Sequence, residues 1–267
     1  MFYQQIPIRV QGQTAQLSTY ILYNSLDIDK SRVRPLIIIS PGGGYHFTSD
    51  REAEPIAIRF NAMGFHAMVL RYTTPSRFPV PVLQLVSAIR YAREHADEWG
   101  VDTDKIILCG FSAGGHLTAW AGNHWNHDYV REVLRSDKEL LRPNGMILSY
   151  PVITSGIFAH EDSFRQLLQE QYEEKKEFMS MEKQVNRDTP PAFLWHTVKD
   201  DAVPAENSML MASALRKQNI SFELHLYPNG CHGLALANEE TRFSDGGGIQ
   251  EECQNWIHLA GTWINNL

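Results

Sequence analysis

The sequence predicts an α/β fold in which a mostly parallel central sheet carries helices on both faces. Strand-like and helix-like segments alternate along the chain, and no Pro/Gly/Ser-rich linker or internal repeat divides it. The segment Leu36-Ile37-Ile38-Ile39 is wholly apolar, which is typical of a strand buried on both faces. Since this alternation implies parallel crossover connections, we expect a single domain over residues 1–267.

The predicted elements follow one another in a regular order. The strand segments share short apolar or alternating patterns: residues 15–23, 36–39, 65–70, 105–109, 146–150, 192–195 and 222–226. The helical segments share apolar residues spaced three and four apart: residues 54–63, 82–99, 113–124, 205–217 and 249–265. Two polar stretches, residues 124–142 and 155–188, interrupt the alternation. The second is expected to be a small helical insertion, which is either a solvated segment or a lid over the active site.

Composition and charge limit the classes of function. Of the 267 residues, 43% are hydrophobic and the net charge is −7, so neither nucleic acid nor an anionic membrane surface is an expected partner. We expect a small-molecule substrate instead, and homo-oligomerisation is left open. The amino terminus lacks the pattern of a secretory signal, and Cys109, Cys231 and Cys253 cannot all pair within one chain. A cytoplasmic location is therefore expected.

The most informative motif is Gly110-Phe111-Ser112-Ala113-Gly114, a G-x-S-x-G pattern between a strand-like run and a helical one. A serine at such a turn is held in a strained backbone conformation that exposes its hydroxyl, and the glycines allow neighbouring chain to approach closely. Because a serine hydroxyl is a weak nucleophile, Ser112 needs a histidine to accept its proton and a carboxylate to orient that histidine.

Two downstream loops supply these partners. Asp200 follows the strand that ends near Trp195 and precedes a helix, while His232 lies in the loop after the last strand. Asp201 competes with Asp200 for the role of the acid, although a capping role suits it better. A metal site at His116, His124, His127 and Asp128 is a weaker alternative, because no second ligand pair with zinc spacing follows.

Four ordered segments carry a resemblance to a known family: Pro41-Gly42-Gly43-Gly44-Tyr45, Gly110 to His116, His196 to Pro204, and Gly230-Cys231-His232-Gly233. They resemble the α/β-hydrolase carboxylesterases, especially the bacterial acetyl-xylan and feruloyl-type esterases near the hormone-sensitive-lipase group. The resemblance implies an α/β-hydrolase fold and the catalytic order Ser112, Asp200, His232. It also implies an oxyanion hole formed by the amides of Gly43, Gly44 and Ala113. Pro41 replaces the histidine that usually begins the glycine loop.

The expected function is hydrolysis of short-acyl carboxylic esters, with acetylated sugars as candidate substrates, through an acyl-enzyme. No metal or organic cofactor is needed for it. Tyr45, His46 and Phe47 follow the glycine loop, where they either shape the substrate pocket or pack against the insertion. Two alternatives are an amidase or peptidase with the same triad, such as a formamidase, and a binding protein on a hydrolase scaffold that has lost catalysis.

Overall fold

The computed structural model describes residues 1–75 and 77–267, and in them the strands form one eight-stranded sheet. In chain order the strands are β1 (Gln5–Val10), β2 (Gln13–Tyr20), β3 (Arg34–Ser40), β4 (His66–Arg71), β5 (Val101–Phe111), β6 (Gly145–Ser149), β7 (Ala192–Thr197) and β8 (Phe222–Tyr227). Their order across the sheet is β1-β2-β4-β3-β5-β6-β7-β8. The pairs β1–β2 and β2–β4 are antiparallel, and all other neighbours are parallel. The predicted mostly parallel sheet is confirmed.

Helices cover both faces of this sheet. They are α1 (Glu54–Ala62), α2 (Val80–Glu94), α3 (Ala96–Trp99), α4 (Ala113–His124), α5 (Asp128–Leu134), α6 (Lys138–Leu141), α7 (Glu161–Leu168), α8 (Tyr172–Lys175), α9 (Glu206–Lys217) and α10 (Trp256–Asn265). Helices α2, α4 and α9 contribute to one apolar core, and α1 and α10 contribute to the other. None of the helices in the described residues is long and apolar enough to cross a bilayer.

The central strand β3 shows why its sequence is continuously apolar. Leu36 and Ile38 belong to the core on one face, while Ile37 and Ile39 belong to the core on the other, and all four are fully buried. Alternate residues of a strand point to opposite faces, so a strand covered on both sides has no position for a polar side chain. Because β3 and its neighbours run parallel, their carboxyl ends lie at one edge of the sheet.

Several predicted boundaries differ from the structure. The strand predicted over residues 15–23 ends at Tyr20, and the hairpin partner β1 was missed although Ile6, Ile8 and Val10 alternate with exposed residues. The helix predicted over residues 82–99 is divided at His95 into α2 and α3. The closing helix begins at Trp256 rather than at residue 249, because the preceding chain forms a 3₁₀ turn.

The polar stretch over residues 155–188 is helical in part and packs on the body of the domain. It contains α7 and α8, and it buries Phe164, Leu167 and Met179 in the core on the α4 face. The main-chain oxygen of Met179 lies 3.0 Å from Nε2 of His116 on α4. An amphipathic segment with one buried face explains the mixture of charged and apolar residues there. Its action as a lid stays a prediction.

Buried histidines make the stability of the fold depend on pH. His66 is fully buried; its Nδ1 accepts a hydrogen bond from the Leu22 amide, and its Nε2 lies 3.3 Å from the Gly100 oxygen. Burial lowers the pKa of His66 from 6.5 to about 4, and burial does the same for His116 and His124. Below pH 6.5 the unfolded chain therefore binds more protons than the folded chain.

We predict that the free energy of unfolding falls between pH 7 and pH 5, with a contribution of about 2 kcal/mol from each such histidine. Urea unfolding at the two pH values measures this fall. His66→Gln retains an acceptor and a donor but does not titrate, so its stability should fall by less than that of the parent protein. An equal fall in the free energy of unfolding of both proteins would show that His66 does not contribute to the pH dependence.

Candidate active site

Ser112 occupies the turn between β5 and α4. Its backbone has φ 51° and ψ −119°, outside the regions that non-glycine residues favour. The neighbouring chain leaves no room for side chains: a Cβ on Gly110 would lie 2.2 Å from the Gly114 oxygen, and one on Gly114 would lie 2.1 Å from the Ser40 oxygen. The Ser112 amide donates to the Ser149 oxygen at 3.0 Å. These contacts fix the strained turn.

The structure brings Ser112, His232 and Asp200 into one hydrogen-bonded chain. Nε2 of His232 lies 2.8 Å from Oγ of Ser112, and Nδ1 of His232 lies 2.7 Å from Oδ2 of Asp200. The side chain of His232 is 20% exposed, while that of Asp200 is 1% exposed. The three residues follow the ends of β5, β7 and β8, so the sheet topology gathers them from distant parts of the sequence.

Asp200 is held by several donors besides His232. Its Oδ1 accepts hydrogen bonds from the amides of Ala202 and Val203, and Nε2 of His196 lies 3.3 Å from Oδ2. Burial alone would raise the pKa of Asp200, but the hydrogen bonds from His196, His232 and Val203 outweigh burial and lower it well below its ordinary value. Asp200 is therefore ionised across the neutral range and orients His232.

The alternative acid has a different partner. The carboxylate of Asp201 accepts a hydrogen bond from the main-chain amide of His232 at 3.0 Å, whereas the imidazole faces Asp200. Neither aspartate caps α9, because the helix begins at Glu206, its N-cap is Ala205, and no side chain accepts a hydrogen bond there. Oδ1 of Asp200 instead accepts from the amides of Ala202 and Val203 in the turn before the helix. The expectation of Asp201 as the capping residue was therefore wrong.

The glycine loop lies beside Ser112. Gly43 and Gly44 have φ values of 124° and 62°, and a Cβ on Gly43 would lie 2.2 Å from the Phe47 oxygen, so glycine is required there. Within residues 1–75 and 77–267, no hydrogen-bond acceptor contacts the amides of Gly43, Gly44 or Ala113. Free amides next to a serine hydroxyl are what an oxyanion hole requires.

The three residues after the loop lie in different surroundings. Tyr45 is 1% exposed, packs against Tyr72 and has its hydroxyl 2.8 Å from Nδ1 of His116, so it packs in the interior. His46 is at the surface, where its Nε2 lies 2.8 Å from Oδ2 of Asp162 on α7. Phe47 is 59% exposed.

Sequence reasoning missed four residues near this site. Glu52 and Tyr150 are buried beneath it and form a hydrogen bond to each other. His160 is half-buried and has a pKa that burial and the neighbouring His232 lower, opposed by Asp162 and Asp200. Asp162 pairs with His46. The interrupted helical pattern around residues 155–188 gave no signal for His160 and Asp162, and no local pattern marks Glu52 or Tyr150, which come together only in the fold.

The histidines considered for a metal site have other partners. Nδ1 of His116 faces Tyr45, its Nε2 faces Met179, and Nδ1 of His124 lies 3.0 Å from the Trp120 oxygen. In the part of the chain that the structure describes, no group of three or more His, Cys, Asp or Glu side chains is arranged to hold a metal ion.

Comparison with known proteins decides the family. Residues 25–215 match the family model described as BD-FAE. This matched range contains the glycine loop, Ser112 and Asp200. The chain belongs to the BD-FAE family. This family assignment agrees with the predicted resemblance to α/β-hydrolase carboxylesterases.

Two solved structures resemble this BD-FAE chain over nearly its whole length. The carboxylesterase Cest-2923 from Lactobacillus plantarum WCFS1 superposes with a TM-score of 0.90 at 30% identity and covers 100% of this chain and 98% of that one. An acetyl ester-xyloside bifunctional hydrolase from Caldicellulosiruptor lactoaceticus has a TM-score of 0.80 at 34% identity, with 98% and 96% covered. The predicted α/β-hydrolase fold is confirmed.

A similar sequence occurs within a longer protein. Endo-1,4-beta-xylanase B from Butyrivibrio fibrisolvens is 41% identical over 214 residues, which cover 78% of this BD-FAE chain and 33% of the xylanase. The chain spans between about a third and about half of the lengths of the first curated relatives that it matches.

The geometry predicts different roles for the two neighbouring aspartates. Asp200→Asn should lower kcat/KM on p-nitrophenyl acetate by about 10⁴-fold. An amide favours the wrong tautomer of His232 and does not stabilise the imidazolium that forms during the reaction. Asp201→Asn, the matched control, should lower it by less than about tenfold, since it alters only a main-chain contact. Equal losses in the two variants would contradict the assignment of Asp200.

Proposed function

We propose that this chain is a serine carboxylesterase in which Ser112 is the nucleophile, His232 the general base and Asp200 the residue that orients His232. The observation that carries the proposal is the continuous hydrogen-bonded chain, with 2.8 Å from Ser112 to His232 and 2.7 Å from His232 to Asp200. A nucleophile within reach of its base, and a base oriented by a buried carboxylate, form the arrangement that activates a serine hydroxyl.

The proposed reaction begins with acylation. Oγ of Ser112 attacks the ester carbonyl carbon while Nε2 of His232 takes its proton, and the carbonyl oxygen becomes an oxyanion. The amides of Gly43, Gly44 and Ala113 donate hydrogen bonds to that oxyanion, each contributing about 3 kcal/mol to transition-state stabilisation. The intermediate then collapses, the bond between the acyl carbon and the alcohol oxygen breaks, and the alcohol leaves with the proton from His232.

Deacylation follows the same route with water as the nucleophile. His232 takes a proton from water, the resulting hydroxide attacks the acyl-enzyme, and the second tetrahedral intermediate releases the carboxylic acid. The proton on His232 returns to Oγ of Ser112. Asp200 stays ionised throughout and stabilises the imidazolium that forms in each half of the reaction.

The proposed substrates are short-acyl esters of alcohols that carry further hydroxyl groups, such as sugars. The side chains of His46, His160 and Asp162, here called the polar rim, lie between the glycine loop and the start of α7. A Cβ on Gly44 would lie 3.7 Å from Oδ2 of Asp162, so α7 comes close to the loop and limits the room for a long acyl chain. Polar groups at the edge of a pocket suit an alcohol that carries hydroxyl groups.

Two further expectations belong to this proposal. Residues 155–188 serve as one wall of the substrate site within a single domain, which the contact between His46 and Asp162 supports. A cytoplasmic location is supported by Cys109, Cys231 and Cys253, which are all free thiols, since disulfides are rare in reducing compartments.

A substrate panel tests the proposal. We predict that kcat/KM on p-nitrophenyl acetate exceeds that on the butyrate, and the butyrate that on the octanoate, and that acetylated xylo-oligosaccharides release acetate. Ser112→Ala should lower each rate by about 10⁴-fold or more, because the nucleophile is lost.

The panel also separates the alternatives. Faster turnover of acetanilides than of the matched aryl acetates would favour the amidase or peptidase hypothesis. Faster turnover of the octanoate would contradict the short-acyl proposal. Turnover that Ser112→Ala leaves unchanged would contradict the assigned nucleophile, and no turnover of any substrate by the parent protein would favour a binding protein on a hydrolase scaffold that has lost catalysis.

A further inference from the structure

A buried carboxylate, that of Glu52, lies directly beneath the proposed active site. Glu52 is 3% exposed and ends the 3₁₀ turn Asp50–Glu52, which precedes α1. Each of its two oxygens accepts a hydrogen bond, Oε2 from the Gly42 amide and Oε1 from the Tyr150 hydroxyl. A carboxylate so far from water is tolerated when both oxygens are bonded in this way. None of the proposed chemical steps uses it directly.

The first of these bonds fixes the glycine loop. The Gly42 amide lies 2.8 Å from Glu52, and the carbonyl at the other end of the same peptide unit, that of Pro41, accepts a hydrogen bond from Tyr72 at 2.8 Å. The orientation of this peptide is thus set from both sides. The next two amides, those of Gly43 and Gly44, are the proposed oxyanion donors, so their direction depends on this peptide.

The nucleophile packs against the same contact. A Cβ placed on Gly42 would lie 2.8 Å from Oε2 of Glu52 and 3.0 Å from Cβ of Ser112. Gly42 therefore lies between the carboxylate and the serine turn, without room there for a side chain. A displacement of Glu52 is transmitted to the loop.

The second bond reaches the segment that carries the base. The Tyr150 hydroxyl donates to Glu52 at 2.7 Å and accepts from the Ala235 amide at 3.0 Å, three residues beyond His232. The ring of Tyr150 packs edge-on against the His232 ring, with 5.1 Å between centroids. Burial and the nearby charge of Glu52 raise the pKa of Tyr150 well above its ordinary value, so the hydroxyl keeps its proton.

The neighbouring residue strengthens the same connection. Arg51 donates to the Gly233 oxygen at 2.7 Å and to the Thr241 oxygen at 3.1 Å. Two consecutive side chains of one short turn therefore hold the loop on one side of Ser112 and the histidine segment on the other side. The packing of α1 would not by itself require that the contacts to the glycine loop and to the histidine segment both come from the turn Asp50–Glu52.

We propose that Glu52, acting through Gly42 and Tyr150, is a positioning residue that fixes the oxyanion amides and His232 in their places relative to Ser112. The proposal rests on the proposed serine esterase function. Both partners of Glu52 are hydrogen-bond donors, so the position requires two acceptor atoms. Glutamine has nearly the same shape but offers one acceptor and one donor, and it therefore leaves one contact unsatisfied.

The test compares Glu52→Gln and Tyr150→Phe with the parent protein, using p-nitrophenyl acetate as substrate and a trifluoromethyl ketone as the probe of the oxyanion hole. We expect Glu52→Gln to lower kcat between about tenfold and about a hundredfold with KM changed by less than about threefold, because the lost interactions act in the transition state. The inhibition constant of the ketone should rise by a similar factor. Glu52→Asp, which restores two acceptors on a shorter side chain, should recover part of the loss.

A matched pair of residues provides the control. Glu54 lies two residues along the chain and accepts a hydrogen bond from the Tyr20 hydroxyl at 2.8 Å. Tyr20 pairs with Ala67 near the start of β4, at the opposite end of the strands from Ser112. Glu54→Gln makes the same substitution but keeps an oxygen that can accept from Tyr20, and Tyr20→Phe removes the hydroxyl from the same kind of carboxylate–tyrosine contact. Both should keep kcat/KM and the ketone inhibition constant within about twofold of the parent protein.

The ketone separates positioning from loss of folded protein, since a smaller folded fraction lowers the apparent kcat but leaves an inhibition constant unchanged. Parent-like kcat and ketone inhibition constants in Glu52→Gln would overturn the proposal, as would a lowered kcat with an unchanged ketone constant. If Glu52→Gln fails to fold, Tyr150→Phe and Glu52→Asp decide by the same criteria. Full activity of the Ser112→Ala variant would instead contradict the proposed serine esterase function itself.

Discussion

The strained backbone of Ser112 is the constraint on which the rest of the site depends. A residue with φ 51° and ψ −119° persists only where its surroundings leave no alternative. Here the Ser149 oxygen holds its amide, and Gly110 and Gly114 allow β5, α4 and the end of β3 to meet without side chains between them. The strain presents the hydroxyl at the edge of the sheet, where the free amides of the glycine loop also lie.

The parallel sheet supplies the other members of the site. Asp200 and His232 follow β7 and β8, and the ends of neighbouring parallel strands meet at the edge that carries Ser112. Loops placed on buried strands have well-defined starting points, so short connections suffice to bring three distant side chains within hydrogen-bond distance. The 3₁₀ turn Asp50–Glu52 then connects the glycine loop to the loop that carries His232.

The sequence predicted the parts of the site that depend on local pattern. Ser112, Asp200 and His232 follow apolar strands in a readable order, and the structure places them together. Glu52 and Tyr150 were not predicted, because an acid near a helix start and a tyrosine after a strand are common, and only the tertiary contact between them is unusual. The division of α2 from α3 was missed for a similar reason, since the apolar spacing continues across His95.

The proposed esterase function depends most directly on Ser112 being an activated nucleophile. The decisive measurement is intact-protein and peptide mass spectrometry after incubation with a fluorophosphonate at neutral pH, with folded Ser112→Ala and urea-unfolded parent protein alongside. We expect one adduct per folded chain, located on Ser112, and none in either control, because labelling requires the triad that only the native fold assembles. Absence of labelling in the folded parent protein, or an adduct on another residue, would contradict the proposed function.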